Sequence, residues 1–348
     1  MSRSISISGV RAKPWSTTVQ QFFLAVGCAF GALAVGVIIY VVEKYVFQVE
    51  HRFVENPGSV MMRSVGLSHF LLGWLFLFTS PRIRNGPAFG NLLKFTALGV
   101  LLCILTHDLG GGRNPFVFLF FYGYFLIHEL RDQTHIHQTY NAAKSQGESC
   151  VFLGWLKWSA TYILLSVLIS GYLLYAVHIK HHAWLSPIPP TVFVLIGAVL
   201  FSLCAISISR TIRLGLEEYG SLSNMMQTHS DLFIVYGGIF CVLLLGAVLG
   251  AVSFNLIILI HAGAWVMFYL HRQRNSHSQP TPLTWSWFRQ TQTGFVVLHI
   301  SFVVILLVLM AIRVYVWRRV GFVSELLAGT NFPYWSLMHI SMSFWRGK

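Results

Sequence analysis

Charge is what this chain has least of. Only 10% of its 348 residues are Asp, Glu, Lys or Arg, against about 25% in a soluble domain. That is too little charge to cover a soluble surface of this size, so lipid must solvate much of the chain. Cysteine is sparse as well. Cys28, Cys103, Cys150, Cys204 and Cys241 make no CxxC pair, which leaves no zinc ribbon or disulfide framework to read. No Gly-x-Ser-x-Gly elbow occurs, which argues against a serine hydrolase. Gly110-Gly111-Gly112 belongs to no Walker or dinucleotide pattern, so no phosphate cradle is indicated. The formal charge is +13, yet no soluble basic domain or aromatic-basic repeat accompanies it. Nucleic acid is therefore not an expected partner.

What is present is apolar. Hydrophobic residues make up 55% of the chain and the mean hydropathy is +0.65. A membrane helix needs about 20 apolar residues. About nine such runs (eight to ten) stand out, at roughly 21–42, 64–80, 92–107, 115–130, 158–178, 191–209, 232–251, 254–271 and 293–316. They are continuous and do not alternate as barrel strands do. The expected fold class is all-α, a polytopic transmembrane helical bundle forming one integral membrane domain over 1–348. Most Lys and Arg fall between alternate spans, near 82–94, 131–157, 210–213 and 272–289. By the positive-inside rule this predicts a multi-pass protein whose N-terminal tail, 1–20, is cytoplasmic. The last segment, 320–348, mixes Phe, Leu, Trp and Met with few charges, and reads as an amphipathic or partner-bound tail. With 15% Phe, Trp and Tyr, the surface suits membrane lipids, and also partner subunits.

The fourth run ends unlike the others. His128, Glu129, Arg131, Asp132, His135 and His137 close it, and ionisable groups at membrane depth are costly and usually functional. Positions i, i+4 and i+7 share a helix face, so His128, Asp132 and His135 stack on one stripe, with Glu129 beside Asp132. Imidazoles and carboxylates on one face are what non-haem iron, manganese or zinc sites use. Arg131 can neutralise a neighbouring acid. His229, opening the seventh run, and His261, mid-span in the eighth with Trp265 at i+4, are the ligands expected from other helices. A polar knot at the headgroups and a proton relay remain alternative readings of the same residues. His128-Glu129 is followed by Leu-Arg-Asp, so the HExxH protease motif is absent. His69 and His299 lie within spans and are candidates for a haem or pigment ligand.

A second cluster, His178-Ile179-Lys180-His181-His182, resembles one histidine box, HxxHH, of the membrane fatty-acid desaturases and hydroxylases. That resemblance implies a di-iron centre built from three such boxes. No further HxxHH exists here. The expected topology also puts this cluster a full bilayer, about 30 Å, from His128, so the two cannot share a centre.

The expectation is therefore a membrane-embedded metal-dependent oxidoreductase, using iron or another divalent metal, acting on a lipid, quinone or isoprenoid. Glu129 and Arg131 are the catalytic candidates, and His128, Asp132, His135, His229 and His261 the ligands. Phe116, Phe118, Phe121, Tyr122 and Tyr124 are the apolar lining on the same run. The alternatives are a non-catalytic subunit of a larger complex, binding a cofactor or lipid, and a proton-coupled transporter.

Overall fold

The computed structural model describes residues 17–48, 57–80, 83, 86, 88–110, 114–141, 150–174, 190–245, 251–274, 280–315, 327 and 331–344. His178, His181 and His182 fall outside them, as do residues 1–16 of the N-tail and most of 316–330. The all-α expectation holds: helices make up the structure and no strand occurs among the described residues.

In chain order the helices are α1 (Thr17–Val41), continued by a π turn (Val42–Val46), α2 (Pro57–Phe78), α3 (Ala88–Asp108), α4 (Pro115–Tyr140) and α5 (Cys150–Leu174). There follow α6 (Pro190–Tyr219), the short α7 (Leu222–Thr228), α8 (Ser230–Leu244), α9 (Ala251–Arg274), the short α10 (Trp285–Gln290), α11 (Gln292–Tyr315) and α12 (Phe332–Ser343). Local chemistry sets several starts. Asn114 caps α4, its side chain accepting from the Phe116 amide, with Pro115 in the first turn, where its missing N–H costs nothing. Ser221 and Thr284 cap α7 and α10 in the same manner.

Among the described residues, six helices are long and apolar enough to cross a membrane, and seven if the bent α7–α8 pair counts as one span. They present bulky apolar side chains outward, such as Phe30, Ile38, Leu101, Leu195, Phe201 and Ile300. A surface of that kind belongs against lipid, and the chain is a multi-pass membrane protein. The two further runs among the nine expected are α4 and α9. Both are full-length helices, but they are polar for a physical reason: the bundle covers them. Asn255, Ile257, Ile258, Leu259, Ile260 and His261 follow one another along α9 and all are buried. A helix wrapped by protein has no lipid-facing stripe to keep apolar, and its polar groups find partners inside.

α9 is the axis of the fold. It packs against α1, α2 and α8. The approach to α1 is close at Gly263, where an added Cβ would lie 3.2 Å from the Ala25 carbonyl oxygen. α12 packs against α2, α3 and α4 of the same chain, burying Phe332, Ser336, Leu337, Ile340, Ser341 and Met342. The described part of the C-terminal segment thus lies in the bundle and brings its one histidine, His339, inward.

Candidate metal centre

Four helices meet at one point and each delivers an imidazole: His69 from α2, His128 from α4, His261 from α9 and His339 from α12. The rings form a closed circuit. Centre-to-centre distances are 5.2 Å for His69–His261, 4.8 Å for His261–His128, 5.6 Å for His128–His339 and 4.8 Å for His339–His69. The diagonal His261–His339 is 6.4 Å. Two sets of ligand atoms lie within 4.8 Å of one another: His69, His261 and His339, and His128, Asp132 and His261. The sets share His261.

Each set of three encloses a space that one ion can bridge. A metal–nitrogen bond of about 2.1 Å, plus about 1.1 Å from nitrogen to ring centre, puts opposed rings about 6.4 Å apart and adjacent rings about 4.5 Å apart. The diagonal matches the first value and the sides run slightly above the second.

The outer contacts orient the ring nitrogens. Glu129, fully buried, binds His261 Nδ1 through Oε2. Its Oε1 accepts from Gln133 Nε2 at 2.8 Å. His261 Nε2 is left buried with no hydrogen-bond partner, and so is His69 Nε2. His128 Nδ1 lies 3.0 Å from Ser343 Oγ, which itself donates to the Ile340 carbonyl at 2.6 Å. That contact turns His128 Nε2 inward, 3.5 Å from Asp132 Oδ2. Asp132 Oδ2 also accepts from Trp265 Nε1 at 2.8 Å, and Oδ1 from Arg131 at 3.0 Å. A carboxylate behind a histidine and donors around a carboxylate are the usual supports of metal ligands. An orphaned buried imidazole nitrogen costs about 1–3 kcal/mol, and an ion held by His69, His261 and His339 would relieve two such atoms at once. A metal ion fits these residues.

His128, Asp132 and His261, all expected as ligands, come together. The spacing of four along α4 places the first two on one face, and helix packing brings the third. His135 is exposed and lies against Phe268, on the wall of the adjoining cavity. His229 is elsewhere: it is buried against Phe152, bonds Tyr219 at 2.8 Å and faces His137 at 6.3 Å. Glu129 touches His261 and Gln133 and does not line the cavity. Arg131 does line it, stacked 4.3 Å from the Phe344 ring. His69 and His339 complete the circuit. His69 stood out in the sequence as a histidine within a span. His339 had no such signal, being a lone imidazole in an apolar tail with no neighbouring acid.

The centre opens into a cavity of about 1100 Å³. Its aromatic wall differs from the expected one. Phe116 faces outward, Phe121 sits in the core, and neither they nor Tyr122 and Tyr124 line the cavity; the side chain of Phe118 is outside the described set. The lining rings are Trp74 and Phe76 of α2, Trp265, Phe268 and Tyr269 of α9, and Phe295 of α11. α4 turns its polar stripe to the cavity and its aromatic stripe away. His299 also lines the cavity, with Nδ1 2.9 Å from the Phe295 carbonyl.

Comparison with protein-family models, with curated proteins and with solved structures finds no match for this chain.

Proposed function

We propose that the protein is a membrane-embedded, metal-dependent oxidoreductase whose substrate is an apolar molecule of the lipid, quinone or isoprenoid kind. The observation that supports this best is the cluster of four imidazoles and Asp132 beside an aromatic-walled cavity that His69, His128, His339 and Asp132 line. Structural zinc is normally closed by four ligands. Imidazole and carboxylate donors beside an open cavity suit a redox-active ion such as iron better. A haem fits poorly, because the imidazoles flanking any opposed pair occupy the plane a macrocycle needs.

The bound ion would supply the electron-transfer chemistry. The chain's own part is to hold and to exclude. Glu129 is a positioning residue, fixing the tautomer and orientation of His261. Arg131 offsets the charge of Asp132 and keeps that carboxylate turned inward beside Trp265. Trp74, Phe76, Tyr269 and Phe295 offer an apolar substrate a dry wall. The N-terminus is proposed to be cytoplasmic, on the distribution of Lys and Arg.

Elemental analysis of the purified protein tests the reading. About one iron or other divalent ion per chain is expected, falling severalfold in His261→Ala while helicity and monodispersity are retained. A correctly folded protein that stays metal-free when grown with and titrated with iron, manganese and zinc would remove the proposal.

A further inference from the structure

The cavity has two unlike ends. One holds His69, His128, His339 and Asp132. The other is framed where three helices finish or begin: the end of α2 near Ser80, the end of α9 at Arg272, and the start of α11 after Arg289. Along α9, His261 and Arg272 are about 16 Å apart at 1.5 Å per residue. The walls between are largely apolar and aromatic.

Arg272 and Arg289 both line this outer end, and no carboxylate pairs with either among the described residues. The one acid on the cavity wall is Asp132, already met by Arg131 and Trp265. Arg289 is not loose. Its backbone carbonyl accepts from Gln273 Nε2 at 2.8 Å, its Nη1 reaches the Thr79 carbonyl at 3.4 Å, and its guanidinium lies 5.6 Å from the Phe76 ring centre. It is held at the rim with donors to spare. Guanidinium groups match carboxylate and phosphate oxygens in fork geometry.

We propose, resting on the metal-centre reading above, that the substrate is an anionic amphiphile: a chain whose carboxylate or phosphate head is held by Arg272 and Arg289 while its apolar body runs inward. The separation of rim and centre then sets the site of reaction. The histidine circuit meets a position well along the chain, about 16 Å from the head, rather than the head itself. A neutral quinone or sterol can accept a hydrogen bond there but brings no charge to offset the two arginines.

Direct binding to the full-length protein in neutral detergent tests this. The probes are tritiated palmitate, tritiated hexadecyl phosphate and tritiated methyl palmitate. At least one anionic probe is expected to bind tenfold or more tighter than the ester, and the tighter of the two identifies the head group. The double variant Arg272→Gln/Arg289→Gln should lose that preference with ester binding unchanged, and Arg272→Lys/Arg289→Lys should restore most of it. Equal binding of ester and acids, or a preference that survives the Gln variant, overturns the proposal. So does displacement of the anionic probes by inorganic phosphate at comparable concentration, which would mark a free-anion site. None of these measurements needs the metal. Metal content of the same preparation reports separately on the centre, so either conclusion can fail alone.

Discussion

Glu129→Gln separates a metal ligand's support from an ordinary buried ion pair. Glu129 is completely buried and its two oxygens are engaged by His261 Nδ1 and Gln133 Nε2. Glutamine keeps the shape and can accept from His261 Nδ1–H, and Gln133 can turn its own carbonyl toward the new amide. The fold should therefore lose about 1 kcal/mol, the scale of one imperfect hydrogen bond. The imidazole, however, loses the charge behind it. Losing such an outer partner typically lowers metal affinity 10–100-fold, which is about 1.4–2.8 kcal/mol. The assay is a competitive titration against a chelator of known affinity, with unfolding of metal-free and metal-loaded protein followed in parallel. The expected result is a 10–100-fold weaker metal, a nearly unchanged metal-free protein and a smaller stabilisation on loading. The opposite pattern would refute the reasoning. Were Glu129 and His261 only a structural ion pair, removing the charge would cost the metal-free protein about 3–5 kcal/mol, and no metal affinity would change.

Other expectations follow from the same packing. His339→Ala should reduce bound metal as strongly as His128→Ala, although the two lie 211 residues apart in the chain; full stoichiometry in His339→Ala would take α12 out of the centre. His135→Ala and His229→Ala should leave metal stoichiometry unchanged, because the first is exposed on the cavity wall and the second is held by Tyr219 away from the circuit. Loss of metal in either, with helicity intact, would mean that the circuit is drawn wrongly. Gly263→Leu pushes a side chain into the α1 backbone at Ala25. It should destabilise the protein by about 1–3 kcal/mol or more, seen as a lower thermal midpoint, and wild-type stability would show that α1 and α9 do not meet there.

What the chain determines without its fold is the material and the first half of the site. Long apolar runs with almost no charge leave helices in lipid as the one economical arrangement, since each helix satisfies its own backbone. The spacing of His128 and Asp132 puts both on one face of α4 in any helical structure, and Glu129 with Gln133 on the next. Those relations are local. The rest is decided by which helices touch. Periodicity shows that α9 is long and not uniformly apolar, but only its central place explains why His261 and Asn255 are tolerated there. His69 and His339 carry no motif, and become candidate ligands because α2 and α12 pack beside α4 and α9. His135 shares the helical stripe of His128, yet it lies two turns further on, where the stripe has left the circuit and faces the cavity. A helix's sequence sets which side chains share a face. What that face meets depends on contacts between segments far apart along the chain, and these no local pattern encodes.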